Sequence, residues 1–171
     1  MKVYKLNPDV DYYNIFELKN ESDKKLIDTT GSLISNWSPL EIKFFKKKKV
    51  GDIAWLYPND IIINEKAKTS ITPLVKNDVE LLPLKLLDDT YYFFNVITIL
   101  DALDEEHSDI SRLDNGKIIN CRKYNFKEEV LNGVHVFMLP QFLKSKRIYV
   151  SEEFKKVTEE NGLKGYQFIE L

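Results

Sequence analysis

The residues best equipped for chemistry lie in one short stretch, residues 101–109, which reads DALDEEHSD. It holds Asp101, Asp104, Glu105, Glu106 and Asp109 together with His107 and Ser108, the side-chain types of an acid–base or nucleophilic site. Type is not geometry, however, and neighbours in an irregular segment are not aimed at one substrate atom by their spacing. A plainer reading is a polar loop that solvates the end of a buried strand, with Asp101 and Asp104 accepting backbone N–H groups in the turn. No residue is therefore assigned a catalytic role.

A third use of the stretch is electrostatic. It is the sharpest charge cluster in the chain, and an acidic loop would steer and orient a partner that carries a basic cleft. Asp101, Asp104, Glu105, Glu106 and Asp109 are accordingly the candidate partner-binding residues. Trp37, Trp55 and Tyr57 are alternative anchors, because Trp and Tyr concentrate binding energy at interfaces, although the same side chains serve equally well in a core.

Other chemistries lack their residues. His107 and His135 are far apart, and neither has companions at the spacing of a helical or zinc-ribbon ligand set, so no metal is expected. No G-x-G-x-x-G, P-loop or G-x-S-x-G occurs, which removes the usual anchors for a nucleotide cofactor or a hydrolase; Thr30-Gly31-Ser32 reads only as a turn. Phe44 and Phe45 precede Lys46 to Lys49 as a block instead of interleaving with them, and 25 basic residues against 27 acidic ones leave a net charge of -2. A nucleic-acid partner is not expected from that balance. The single cysteine, Cys121, has no internal disulfide partner and suits a buried thiol. The opening MKVYKLNPD lacks an apolar secretory segment, and no run approaches the ~18 apolar residues of a membrane span. The expectation is a cytoplasmic protein with no membrane partner.

The elements that must position these residues are short. A chain of 171 residues, 43% hydrophobic and 30% charged with six Gly and six Pro, fits one domain, or one built from two similar halves. Strand-like pieces occur at 3–6, 12–18, 52–56, 61–63, 79–82, 134–139, 147–150 and 166–170, and the nearly unbroken apolar run TYYFFNVITIL at 90–100 predicts the most buried strand. Residues 19–32 read as a polar surface segment, and Lys46 to Lys49 as a solvated loop. Asn64 followed by Glu65 predicts a helix over 65–72. Ser151, Glu152 and Glu153 at one end and Asn161-Gly162 at the other bracket a second helix, with Phe154, Val157 and Thr158 on its apolar face. Asn115-Gly116 predicts a tight hairpin between 108–113 and 117–124, and one helical turn or two is expected in 126–131. The class is α+β, with a mixed or mainly antiparallel sheet, a few short packed helices and a β-ribbon.

Residues 61–84, IIINEKAKTSITPLVKNDVELLPL, align without a gap on residues 148–171, IYVSEEFKKVTEENGLKGYQFIEL. Each reads strand, polar cap, helix, strand. Asn64 falls on Ser151, Glu65 on Glu152 and Lys68 on Lys155, while Val79, Leu81 and Leu82 fall on Tyr166, Phe168 and Ile169. Identities are few and any β-α-β unit shares this grammar, so two similar halves and chance convergence both stay open.

The same pieces carry a family resemblance. IIINEKAK with VELLPL, the aromatic strand running into DALD and Ser108, then HVFML, and finally YVSEEFKKVTEENGLKGYQF resemble immunity-protein family eleven of bacterial polymorphic toxin systems. The resemblance runs from about Asp52 to the C-terminus, so that 50–171 is the family-like part of a single domain and 1–49 matches no family pattern. It implies a non-enzymatic protein, retained in the cytoplasm, that binds and neutralises a cognate toxin made beside it, with no cofactor and no mapped catalytic residue. The alternative is a ligand-binding or regulatory domain outside toxin defence, using a pocket between sheet and helices.

Overall fold

The computed structural model describes residues 2–12, 16–28, 31–46 and 49–171. In chain order the strands and helices are β1 (Val3–Pro8), β2 (Phe16–Leu18), α1 (Lys24–Ile27), β3 (Leu40–Phe44), β4 (Ile53–Leu56), β5 (Asp60–Ile63) and α2 (Glu65–Val75). There follow β6 (Val79–Leu86), β7 (Asp89–Val96), β8 (Asp109–Arg112), β9 (Ile118–Lys123), β10 (Val136–Phe137), β11 (Tyr149–Ser151), α3 (Glu152–Glu160) and β12 (Tyr166–Glu170). The fold is α+β. Six strands close into a barrel in the order β2-β3-β6-β7-β5-β4, four make a sheet in the order β10-β11-β1-β12, and β8 and β9 form a separate ribbon.

Side-chain alternation divides the apolar residues among three cores. Phe16, Ala54, Leu56, Ile62, Leu84 and Phe93 fill the barrel, whereas their strand neighbours Ile53, Ile61, Ile63 and Phe94 point outward. Those outward residues meet α2, α3 and one face of the four-stranded sheet in a central core that includes Tyr4, Leu6, Ile148 and Val150. The sheet's other face, through Val3 and Tyr149, covers a third core beneath the ribbon, where Ala102, Leu103 and Phe137 are enclosed. Buried on both faces, β5 carries three consecutive isoleucines after Asp60, and each of its four residues is buried.

The two ungapped segments have the same topology. In one, β4-β5-β7-β6 are neighbours in that order; in the other, β10-β11-β1-β12 are. In each, the strands joined by a helix both pair antiparallel with one inserted strand, which follows the unit in the chain as β7 and precedes the other as β1. Aligned residues share the central core: Ile61 with Ile148, Ile63 with Val150, Ala67 with Phe154. The joints between the units are reciprocal. Asp52, before β4, accepts the Lys164 N–H ahead of β12 at 2.9 Å, and Asp78, ahead of β6, accepts the His135 and Val136 N–H groups at the start of β10 at 2.8 and 3.1 Å. Gly165 (φ 111°) is required at the first joint, because a Cβ there would lie 1.9 Å from the Ile53 carbonyl oxygen.

Several local expectations need correction. The 65–72 helix continues through Pro73 to Val75, since burial of Ile71 and Val75 against the central core outweighs one absent backbone bond. The 79–82 strand continues through Pro83 to Leu86. The Pro83 carbonyl points away from β7 and accepts the Trp37 indole N–H at 2.9 Å, so the missing N–H faces a side where no strand pairs at that residue. The 90–100 run is strand only to Val96 and is buried only from Phe93, because its first residues form an exposed hairpin with β6. The 134–139 strand shrinks to Val136–Phe137, whereas 126–131 forms the one turn expected there, of 3₁₀ type. Within 19–32, Ile27 of α1 is buried against the barrel interior. Residues 10–12 are a 3₁₀ turn and not strand. Parts of the 12–18 strand, Thr30 and the middle of the lysine run lie outside the described residues.

Candidate functional site

The acidic stretch is a loop, but it does not leave the core. Ala102 and Leu103 have no exposed surface and anchor it into the third core. On its far side it is clamped to residues 125–127: the Asp104 N–H donates to the Asn125 carbonyl at 2.9 Å and the Lys127 N–H to the Ala102 carbonyl at 2.8 Å. The carboxylates on either side of the two buried residues are thereby held at the surface on a backbone with little freedom.

Among the described residues, every candidate except Glu106 is ion-paired. Asp101 takes Lys127 at 3.0 Å, Glu105 takes Arg112 at 2.5 Å, and Asp109 takes Arg122 through two bonds of 2.9 Å. Asp104 accepts the backbone N–H groups of Glu106 and His107 at 3.1 Å through one oxygen, and the His107 ring at 2.7 Å through the other. Its turn-forming role is the one its position after the aromatic strand predicts. Gln141 bridges the loop, its amide nitrogen reaching Glu105 at 2.8 Å and Asp101 at 3.3 Å. The hydrogen bonds and opposite charges of these partners hold the four paired carboxyls below the usual carboxylate range, and Asp104 raises the His107 imidazole above its ordinary value. The result is a surface lattice in which five carboxylates are set against Lys127, Arg112 and Arg122.

The lattice is not arranged as a nucleophilic site. Ser108 accepts the Asn125 N–H at 2.9 Å and turns its own proton to the Asn125 carbonyl at 3.3 Å, away from the imidazole. His135, the other histidine, meets the Ser151 hydroxyl at 3.0 Å; that same oxygen caps α3 by accepting the Phe154 N–H. Among the described residues, no group of three His, Cys, Asp or Glu side chains is placed to hold a metal ion, and no helix is long and apolar enough to cross a membrane. Cys121 is buried, and its desolvation raises the thiol pKa.

The three alternative anchors separate. Trp37 and Trp55 are half-buried, the former stacked on Phe93 at 6.3 Å. Tyr57 is 53% exposed and stacks on Phe45 at 5.2 Å, with Lys46 on the other aromatic, making an outward aromatic pair at the barrel's rim. The cations of the acidic lattice and Gln141 are residues that sequence reasoning missed. Arg112 and Arg122 had a signal in the hairpin itself, which folds both back beside the loop, but Lys127 and Gln141 arrive by tertiary packing.

These features define an α+β domain that carries a polar, charge-paired surface over one end of its core. Residues 84–171, just over half of the chain, match the model of the immunity protein family (Imm11). The chain belongs to that family, as the resemblance read from its residues implies. The matched part contains the acidic loop, the ribbon, α3 and β12; the aromatic pair at Phe45 and Tyr57 lies outside it. No curated protein matches the chain.

Proposed function

We propose that this chain is a cytoplasmic immunity protein that neutralises a cognate bacterial toxin by forming a stoichiometric complex, without turnover or cofactor. Membership of the immunity family is the observation that carries this reading. The acidic loop is the proposed contact: Asp101, Asp104, Glu105, Glu106 and Asp109 sit within the matched residues on an anchored backbone, and their excess of negative charge suits a toxin with a basic cleft. Pre-paired side chains lose less conformational freedom on docking than free ones, which favours affinity at a modest electrostatic gain.

Co-expression with the toxin encoded beside this gene tests the role. Cells are expected to survive, and the two proteins to purify as a one-to-one complex. Death without binding overturns the proposal. Reversal of Glu105, Glu106 and Asp109 to lysine together is expected to slow association at least tenfold at low salt while leaving circular dichroism unchanged. Unaltered protection and kinetics would move the contact off the loop, first to Tyr57 and Phe45.

A further inference from the structure

At the junction where β1 and the segment entering β11 meet the turn between β4 and β5, the fold forms an open pocket of about 160 Å3. Lys5, Asn7, Trp55, Asn59, Lys146 and Arg147 line it. Strand pairing assembles its cationic wall. Lys5 stands opposite Tyr149 of β11, and Arg147 lies two residues before Tyr149, in the segment whose Ile148 carbonyl accepts the Leu6 N–H at 3.0 Å.

The charges in this wall are unequal in their partners. Lys146 is neutralised by Asp60 at 2.5 Å and, more distantly, by Asp28 at 3.7 Å. Lys5 and Arg147 form no ion pair among the described residues. The Arg147 guanidinium lies over the Phe142 ring at 4.3 Å and donates only to the Tyr124 hydroxyl, at 3.3 Å. Both side chains are half-buried, and burial together with the Arg147 charge lowers the Lys5 pKa. Two partly desolvated like charges oppose folding, and a counter-ion between them would relieve that opposition. A second observation points the same way: the indole Nε1 of Trp55, in the wall of this pocket, is enclosed and donates to nothing among the described residues.

We propose that this pocket binds an oxyanion, held between the Lys5 ammonium and the Arg147 guanidinium. Guanidinium and ammonium groups recognise phosphate and carboxylate alike, the first by a fork of parallel N–H donors and the second as a point charge. The oxyanion is therefore either the phosphate of a small molecule or a carboxylate. This assignment is independent of the immunity role and is read on the isolated protein.

Calorimetric titration with inorganic phosphate, and separately with succinate, at low ionic strength and against a matched chloride control tests it. Saturable binding of one or both is expected, weakened at least tenfold in Lys5→Gln and in Arg147→Gln. Saturation by phosphate alone assigns a phosphate ligand, saturation by succinate alone a carboxylate, and saturation by both the shared oxyanion chemistry. In the unaltered protein, anion-dependent NMR shifts are expected at the Trp55 indole N–H and the Arg147 guanidinium, a readout that survives if a variant fails to fold. Binding no different from chloride, shifts elsewhere only, or full affinity in both folded variants would overturn the proposal.

Discussion

Asp104 is the side chain on which the acidic loop turns: one oxygen takes two backbone N–H groups and the other takes the His107 ring. The coupling has a definite sign. His107 binds its proton more tightly folded than unfolded, so its contribution to stability is fully present below the ordinary histidine pKa and is lost as pH rises through the elevated folded value. Asp104 works in reverse, its contribution present above the ordinary carboxylate pKa and lost as pH falls through the depressed one. Asp104→Asn is expected to return the His107 imidazole toward its ordinary pKa, followed by the ring proton shift in an NMR titration; an unchanged midpoint would remove Asp104 as the cause. The turn role of Asp104 was legible because a carboxylate just after a buried strand commonly accepts backbone donors. Its lack of a catalytic relation to Ser108 was not, since that depends on Asn125, which lies 17 residues further on and occupies the hydroxyl.

At the scale of elements, the two helices show why local punctuation is dependable. Asn64 accepts the Ala67 N–H at 2.9 Å and Ser151 the Phe154 N–H at 3.2 Å, each satisfying a donor that the first helical turn leaves open. Ser151→Ala is expected to cost about 1–2 kcal/mol, because the cap is buried and the His135 ring loses its partner as well. Urea unfolding measures this, with an unchanged m-value required for the attribution. A cost under about 0.5 kcal/mol, the range of an ordinary surface change, would mean that water replaces the cap. Caps and the Asn-Gly hairpin were readable since their partners lie within a few residues. Strand ends at Pro83 and Val136 were not, because they depend on which neighbour pairs there, and that neighbour is remote in the chain.

Across the whole molecule, Lys146 joins the barrel to the connection that enters the four-stranded sheet through its pair with Asp60, which is only 7% exposed. Burial raises the Asp60 pKa despite the opposing charge of Lys146. The native state therefore holds that proton more tightly than the unfolded chain, and this group's contribution falls as pH rises from the ordinary carboxylate pKa through the raised one. Lys146→Met, which strands the buried carboxylate, is expected to cost about 3 kcal/mol at neutral pH, the low end for a broken buried pair because Lys146 keeps 20% of its side chain in water. Equilibrium unfolding at neutral and acid pH checks it: the gap between variant and parent should narrow on acidification, where Asp60 becomes neutral. A gap independent of pH would show that packing, not the pair, is lost.

The residues alone determine the class of fold, the start of both long helices and the end of the second, the hairpin and the kinship to the immunity family, since each rests on short-range periodicity, capping or an ordered set of local motifs. They also carry the ungapped likeness of 61–84 to 148–171. Only the tertiary structure decided that the two units are built alike and joined reciprocally, that Lys127 and Gln141 close on the acidic loop, and that Lys5 and Arg147 share a pocket. Those facts rest on pairings between strands and loops far apart in the chain. Such pairings are chosen by the shape of the finished core, which local sequence does not encode.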